Sequence, residues 1–481
     1  MPSTPAGFVP PNFAALATVR CNAWMGERAA SAPLGSLRDQ WTLSRAALRA
    51  DQALLPPPPV PAQQWQDPEI GWGVILPDAA DLTDDQRRTG SDAPEPIRAL
   101  LAERPASKVL RYRTDTDALN TLRDYTTCTD ITFATAPIGV AAGAIPDYLL
   151  IVGSPRDIPW TLQFKLNQVR KVGRLDLDDT GLANYVHALI DNWKGSITDY
   201  SSPVIWAVNH GGDITPLMRD AVAAPLYDLY HQDTDLHATA FIDGTNVHAT
   251  KALLVAALKT SRPSVVVTTS HGNTSPLNDT DEMRRQLGLL VDADRSIIEP
   301  NELLNQWQPD GAIWFAQACC SAGAQRPSIY SNLFDTSTDT GRVLDGVSAV
   351  GAVTSPLPAA LLGAARPLRA FIGHVEPTFE WTLWFPPTKA QLTDWVCRLM
   401  YNEVCRGAPV GLGMANARLY TAVGTLLLQH TQALETHAVA PDPQARRSAL
   451  DLALYDKVTA YDRACTVLLG DPTVAIPTPA N

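Results

Sequence analysis

The sequence predicts an α/β protein, built from mostly parallel sheets that are flanked by helices. From Lys108 onward, short apolar runs of strand length alternate with longer runs of helix length, which is the pattern of parallel sheets covered by helices. Two of the apolar runs lead directly to a chemically reactive side chain, one to His271 and the other to Cys319. Because the carboxyl ends of parallel strands form the ligand-binding edge of an open α/β sheet, we expect both side chains at one edge.

The first part of the chain, residues 1–105, is a Pro/Ala-rich N-terminal extension. Its run of prolines at 56–61 predicts an extended spacer, since proline fixes φ and cannot donate to a strand ladder. Residues 36–54 before it are compatible with one amphipathic helix. Three roles remain open for the extension: it packs on the core, blocks a site before activation, or binds a partner.

Two blocks follow the extension, at 106–200 and 201–476. In the first block, we predict strands at 109–113 and 147–153 and helices at 115–125 and 181–193. In the second block, the predicted strands are 204–208, 238–242, 264–270, 313–316, 348–353 and 466–472, and the predicted helices are 216–230, 250–260, 300–307, 388–406, 415–435 and 442–456.

Composition excludes several classes of protein. The net charge of -12 at pH 7 argues against a nucleic-acid-binding protein, which normally carries a basic face. No apolar run is long enough to span a membrane, and residues 1–33 lack the basic start and apolar core of a secretory signal. The 7 cysteines are scattered, without a CxxC pair, and the glycines form no phosphate loop. We therefore expect a cytoplasmic protein without a metal or other cofactor.

Cys319 and His271 have the residue types of a nucleophilic dyad. A thiol attacks a carbonyl only as the thiolate, and a neighbouring imidazole promotes its ionisation. The backbone N–H groups of Gly272 and Cys319 are the predicted donors to the oxyanion, since a glycine after the histidine lets backbone approach the substrate. Neighbouring residues on a strand point to opposite faces, so only one of Cys319 and Cys320 can meet the histidine. The sequence favours Cys319 and leaves Cys320 as the alternative.

His210 is a second candidate for the imidazole. Residues 204–208 also form an apolar run, and this run leads into His210-Gly211-Gly212. A histidine there can serve as the base in place of His271, or as an auxiliary group that orients His271. The purely structural interpretation is a loop in which the two glycines form a tight turn and the histidine has no catalytic role. These alternatives stay open at this point.

The segment Gln317-Ala-Cys-Cys-Ser-Ala-Gly323 resembles the Gln-Ala-Cys motif of caspases, in which the histidine lies roughly 50 residues upstream. A wider resemblance is to the gingipain-like cysteine peptidases of the caspase–haemoglobinase fold. It extends over roughly residues 108–476 and includes 148–153, Asp157-Ile-Pro159, Val172-Gly-Arg174 and Gly470-Asp-Pro472. This resemblance implies two caspase-like subdomains, a smaller one at 106–200 and a catalytic one at 201–476.

The resemblance also implies an activity and roles for site residues. By motif, Cys319 is the nucleophile and His271 the imidazole of a cysteine endopeptidase that forms an acyl-enzyme with protein substrates. Such peptidases carry an acidic residue where this chain has His210, so its assistance would come from another group such as Asp213. A further acidic residue, Asp220 or less favourably Asp213, is expected to select a basic P1 side chain through charge-assisted hydrogen bonds.

The same features leave two other functions open. One is a catalytically inactive caspase-like scaffold that binds partners through the Pro-rich region. The other is a Cys-dependent acyltransferase or amidase that acts on small molecules. For the peptidase we expect a peptide or protein substrate and an activating or inhibitory protein partner, and no contact with nucleic acid or membrane.

Overall fold

The computed structural model describes residues 18–33, 60–114, 119–385 and 388–478. The helix predicted at 36–54 and most of the proline-rich spacer lie outside the described residues, and so does the start of the helix predicted at 115–125. The predicted class is confirmed: the fold is mixed α/β, with a large and mostly parallel central sheet flanked by helices.

The strands of the described residues are numbered in chain order. They are β1 (Thr18–Trp24), β2 (Ala29–Pro33), β3 (Trp72–Pro77), β4 (Lys108–Tyr112), β5 (Thr121–Asp124), β6 (Thr129–Thr132), β7 (Tyr148–Val152), β8 (Lys171–Leu175), β9 (Val204–Ala207), β10 (Ala240–Asp243), β11 (Val265–Thr269), β12 (His271–Asn273), β13 (Leu290–Val291), β14 (Ile313–Gln317), β15 (Gly323–Ala324), β16 (Val353–Thr354), β17 (Ala370–His374), β18 (Trp384–Phe385), β19 (Ala390–Gln391) and β20 (Thr466–Gly470).

The α-helices are numbered in the same way. They are α1 (Asp84–Thr89), α2 (Glu95–Glu103), α3 (Trp160–Leu166), α4 (Asp179–Ile190), α5 (Thr215–Met218), α6 (Ala224–Gln232), α7 (Lys251–Ser261), α8 (Thr280–Gln286), α9 (Pro300–Leu304), α10 (Asp339–Val350), α11 (Pro356–Leu362), α12 (Asp394–Cys397), α13 (Val410–Asn416), α14 (Leu419–Val439) and α15 (Pro443–Ala464). A π-helical turn, Arg219–Ala223, joins α5 to α6.

One sheet of 12 strands runs through both predicted blocks, in the order β10-β9-β11-β14-β17-β20-β8-β7-β3-β4-β5-β6. The strands from β10 to β17 are parallel to one another, and so are those from β20 to β4. The two sets meet where β20 pairs antiparallel with β17. Their carboxyl ends therefore lie at opposite edges of the sheet.

Part of the predicted N-terminal extension belongs to this sheet. β3 lies between β7 and β4 and pairs parallel with both. Its apolar residues Trp72, Val74, Ile75 and Leu76 are buried. A domain boundary at residue 105 thus separates β3 from β4 and β7, the two strands with which it pairs.

Two elements differ from the sequence prediction. In place of the helix predicted at 115–125, the described residues form β5, whose side chains alternate between half-buried and buried and which pairs with β6. The first half of the strand predicted at 348–353 is instead the end of α10, and only its last residue, Val353, lies in a strand, β16. Val343, Val347 and Val350 are buried at helical spacing, and the helix ends at Gly351, whose φ is +96°. A short apolar run does not distinguish the end of a buried helix from a strand.

The remaining predicted elements occur, with shifted ends. The helix predicted at 388–406 is the least regular of them, because α12 passes into a π-helical stretch, Arg398–Glu403, and then into a 3₁₀ turn. Of the helices within the described ranges, none combines the length and apolar character required to cross a membrane.

Candidate active site

His271 and Cys319 follow two strands that are neighbours in the central sheet. β11 and β14 pair in parallel, with Thr269 opposite Gln317, so each residue of interest lies two positions beyond this pair. Gly272 passes so close to the next strand that an added Cβ would lie 1.8 Å from the carbonyl oxygen of Cys319. Only glycine permits this approach. The predicted meeting of the two strand ends at one edge is confirmed.

Asp213 is hydrogen-bonded to the His271 ring. Its Oδ2 accepts a hydrogen bond of 2.7 Å from Nε2 of His271, and its Oδ1 accepts from the backbone N–H and hydroxyl of Thr215. Burial opposes the charge on this carboxylate, but the His271 and Thr215 hydrogen bonds prevail and lower the pKa of Asp213 to about 2. Asp213 is therefore an anion that orients the His271 ring.

His210 lies beside His271, and their rings stack with centroids 5.4 Å apart. Nε2 of His210 donates a hydrogen bond of 2.8 Å to the carbonyl of Asp292, while its buried Nδ1 has no hydrogen-bond partner. Burial lowers the pKa of His210. The loop after β9 thus brings both candidate histidines and Asp213 together, with ligand atoms within 4.8 Å of one another. These three residues have the donor types that bind a transition metal.

The strand β1 lies in the cleft between the His271 segment and residues 378–380. On one side it pairs with β12, and the Asn22 side chain donates to the carbonyl of Ser270. On the other side the Asn22 backbone N–H donates to the carbonyl of Thr378. The Asn22 carbonyl in turn accepts a hydrogen bond of 3.1 Å from Nδ1 of His271. Both ring nitrogens of His271 are therefore engaged, and neither bonds to Cys319.

Cys319 is completely buried beneath β1. Its Sγ accepts a hydrogen bond of 3.1 Å from the backbone N–H of Thr378 and interacts with the Cys21 thiol of β1. Burial, and then the neighbouring Cys21, raise the pKa of Cys319 well above its ordinary value. The thiol is thus protonated and shielded from solvent in this arrangement.

Cys320 has a different environment. Its backbone has a φ of +53°, and its N–H donates to the carbonyl of Glu376. Burial and the nearby Glu376 carboxyl raise the pKa of Cys320 well above its ordinary value. Within the described residues, neither Cys320 nor Glu376 is bonded to His271.

Asp220 and Asp213 have different positions. The Asp220 side chain is 60% exposed and forms an ion pair with Arg219, and its described contacts include no residue of the His271 cluster. The carboxylate that binds a basic side chain in the cleft is Glu380, which the sequence analysis did not identify. Its oxygens accept from Nε and the backbone N–H of Arg20 on β1, and Arg20 also donates to the Asp213 carbonyl.

Asn22, Thr378 and Glu380 are the site residues that no sequence pattern indicated. Asn22 and Thr378 contact residues of the predicted dyad, and Glu380 binds Arg20 beside Asp213. They lie in segments without a motif, far along the chain from the residues that they contact. The helpful signal in the sequence was Asp213, which follows the His210-Gly211-Gly212 loop directly.

Comparisons of the chain with sequence profiles of known protein families and with curated proteins give no match. The likeness to gingipain-like peptidases therefore depends on the motifs in this sequence.

Proposed function

We propose that the chain is a latent cysteine endopeptidase, with Cys319 as nucleophile, His271 as base and Asp213 as the carboxylate that orients the base. The observation that carries the proposal is the triad-like placement of the His271 ring. Its Nε2 is hydrogen-bonded to Asp213. Its Nδ1 is hydrogen-bonded to the Asn22 carbonyl of β1, the strand that leaves the cleft in this proposal. Cys319 follows the neighbouring strand at the equivalent position.

The proposed reaction begins when β1 leaves the cleft. After β1 has left and Nδ1 of His271 has released its proton to water, Nδ1 accepts the proton of the Cys319 thiol, and the thiolate attacks the scissile carbonyl of a peptide. The backbone N–H groups of Gly272 and Cys319 are the proposed donors to the oxyanion. His271 returns its proton to the leaving amine, and water then hydrolyses the thioester to regenerate the thiol.

Latency follows from the position of β1. Val19, Cys21 and Ala23 of this strand are fully buried, and Trp24 stacks on the His271 ring. An extended segment in the cleft excludes substrate and keeps the Cys319 thiol away from water and from the base. Of the roles left open for the N-terminal extension, the packing of β1 supports blocking of the site before activation.

A preference for a basic residue is supported by Glu380 rather than by Asp220. The cleft already holds one guanidinium, that of Arg20, with N–O distances of 2.8 and 2.7 Å to Glu380 Oε2. A carboxylate in this position binds arginine through directional charge-assisted hydrogen bonds. We propose that Glu380 binds a basic side chain of the substrate once Arg20 has left.

The second candidate function is a catalytically inactive scaffold. It is favoured by one observation, the complete burial of the Cys319 thiol, because a free cysteine in a core is most often a packing residue. The two functions differ in what happens when β1 is released. A peptidase gains a reactive Cys319, whereas a scaffold gains only an exposed cleft.

The test is labelling of Cys319 by an irreversible thiol-directed peptide that carries arginine next to its reactive group. The full chain is compared with an Arg20→Ala/Trp24→Ala variant, whose β1 has lost its ion pair and its stacking on His271. We expect labelling of Cys319 in the variant, together with hydrolysis of arginine-containing peptides. Asp213→Asn in the same background should reduce both. A folded variant that shows neither labelling nor hydrolysis would contradict the peptidase and favour the scaffold.

A further inference from the structure

Three side chains converge on one point beneath β1: His210, Asp213 and His271. Their ligand atoms lie within 4.8 Å of one another. The pairwise distances from Asp213 Oδ2 are 2.7 Å to Nε2 of His271 and 3.8 Å to Nδ1 of His210. Two imidazoles and one carboxylate form the kind of three-residue set that holds zinc and leaves a further position open.

The hydrogen bonds that these side chains make to residues outside the cluster have the arrangement that is found around bound metals. The nitrogen of each imidazole that faces away from the cluster donates to a backbone carbonyl, Asp292 for His210 and Asn22 for His271. The second oxygen of Asp213 is held by Thr215. Metal-binding histidines almost always donate their other ring N–H in this way, which fixes the ring and makes the ligand nitrogen more basic.

The hydrogen bonds within the cluster leave one ring nitrogen without a partner, Nδ1 of His210. The side chain is only 4% exposed, yet this nitrogen has no hydrogen-bond partner. Because Nε2 carries the hydrogen that Asp292 accepts, Nδ1 of the neutral ring has only a lone pair to offer. Oδ2 of Asp213, 3.8 Å away across the cluster, is also an acceptor. A buried lone pair that faces a carboxylate is satisfied by a bound cation or by a water between them, and the negative charge of the carboxylate favours the cation.

The spacing of the two rings fits a shared ion. Their centroids are 5.4 Å apart. Two imidazoles on one tetrahedral zinc, with Zn–N bonds of about 2.0–2.1 Å, have ring centres roughly 5 Å apart. The two rings are nearly parallel, with 11° between their planes, so binding requires them to turn until both lone pairs meet at the metal. The hydrogen that Nε2 of His271 donates to Asp213 is then replaced by the metal.

We propose that His210 Nδ1, Asp213 Oδ2 and His271 Nε2 form a binding site for a divalent transition-metal ion, of which zinc suits the N₂O donor set. The site shares His271 and Asp213 with the proposed peptidase, but it does not require Cys319, and metal binding is measured without any peptidase activity. It also has a route from solvent, since the Asp213 side chain is 20% exposed. Metal binding keeps every hydrogen bond that the cluster makes to its surroundings, and it gives the unpartnered nitrogen of His210 a partner.

A metal at this site also acts on β1. A metal on Nε2 leaves the hydrogen of His271 on Nδ1, where the Asn22 carbonyl accepts it. Trp24 of the same strand stacks on His271, with a centroid distance of 5.5 Å. The bound metal thus stabilises the strand that covers it, and by reciprocity the strand increases the affinity for the metal.

The experiment is a titration of the full, metal-stripped chain with zinc, followed by calorimetry, and with cobalt, followed by absorption in the visible range. We expect one equivalent to bind, with a cobalt spectrum of nitrogen and oxygen ligands and without an intense thiolate charge-transfer band. His210→Ala should lose this equivalent. His210→Gln retains a side-chain donor for the Asp292 carbonyl and lacks the ring nitrogen, so it provides a second test if the alanine variant is unstable.

Two control variants separate this site from others on the chain. His187→Ala removes an exposed histidine that lies 3.4 Å from a carboxylate, Asp191, and should leave the stoichiometry unchanged. Cys319→Ala removes a buried thiol of the cleft and should also leave the stoichiometry unchanged. The proposal is overturned if the wild-type chain binds no equivalent, if both His210 variants bind as the wild type does, or if Cys319→Ala abolishes binding. These outcomes are independent of any peptidase assay.

Discussion

The backbone carbonyl of Asn22 accepts a hydrogen bond of 3.1 Å from Nδ1 of His271. Asn22 precedes His271 by 249 residues in the chain. This one contact makes the chemistry of His271 dependent on the N-terminal strand. In the proposed peptidase, the contacts that hold β1 in the cleft therefore control the reactivity of Cys319.

Weakening β1 should expose Cys319. Arg20→Ala removes the side-chain hydrogen bonds to Glu380 and to the Asp213 carbonyl, which for a partly exposed ion pair are together worth about 1–2 kcal/mol. A loss of this size increases the population of the open state about 5–30-fold. We expect alkylation of Cys319 by iodoacetamide to accelerate by a similar factor, measured by site-resolved mass spectrometry.

Two references calibrate this measurement. Arg28→Ala removes another arginine of the same N-terminal region, one whose exposed side chain pairs with Asp339 outside the cleft, and should not change the rate at Cys319. The exposed thiol of Cys128 reports the reactivity of the reagent in every sample. Equal rates at Cys319 in the two arginine variants would show that β1 is not held by Glu380.

Asp213 should matter for turnover, and Asp220 should not. In the variant with a released β1, Asp213→Asn leaves the His271 ring without its anionic partner. Loss of the orienting carboxylate in a nucleophilic triad reduces kcat on the order of 10⁴-fold. Asp220→Asn is the matched change on an exposed carboxylate, and we expect kcat within about twofold of the parent. A large effect of Asp220 on arginine-containing peptides alone would instead assign it to substrate selection.

Zinc should protect Cys319 from alkylation. Because metal binding stabilises the closed position of β1, we expect slower iodoacetamide labelling of Cys319 with zinc, and normal labelling after chelation. The protection should weaken as the pH falls, since protons compete with zinc for the imidazole nitrogens. Burial lowers the pKa of His210, so this nitrogen remains available to lower pH than an exposed histidine does. Labelling that zinc changes equally in His210→Gln would contradict the linkage.

Glu376 should make the fold less stable as the pH rises. Burial dominates and raises the pKa of this carboxyl from 4.5 to about 7, against the hydrogen bond from Ser328 and the nearby His374. An acid whose pKa is raised on folding contributes stability that is complete below about pH 4.5 and is lost as the pH rises through about 7. We expect Glu376→Gln to have the higher Tm at pH 8 and little advantage at pH 5.

The comparison must isolate Glu376 from other groups that titrate in the same window. Asp456 also has a pKa raised to about 7 by burial, and its contribution is common to both proteins. The quantity to measure is therefore the difference in Tm between wild type and variant at each pH. Glu302→Gln makes the same substitution on a partly exposed side chain that is paired with Lys251, and it controls for the effect of the substitution itself.

Much of the sheet could be predicted from the sequence, and the closed state of the site could not. Apolar runs with turn residues at their ends identified β11 and β14, and parallel pairing brought His271 and Cys319 to one edge. The position of β1 was not predictable, since Asn22 and Arg20 form no motif and contact residues hundreds of positions away. The end of α10 was misassigned because its last apolar residues form a run that fits strand and helix equally.

β20 is the seam between the two parallel halves of the sheet, and its residues end at Gly470. Just before it, Asp462 accepts hydrogen bonds from Thr378 and Phe379, the backbone wall against which Cys319 rests. During synthesis, neither the seam nor this wall can form until residues 462–470 have been made. A product that is truncated before β20 therefore has no assembled cleft.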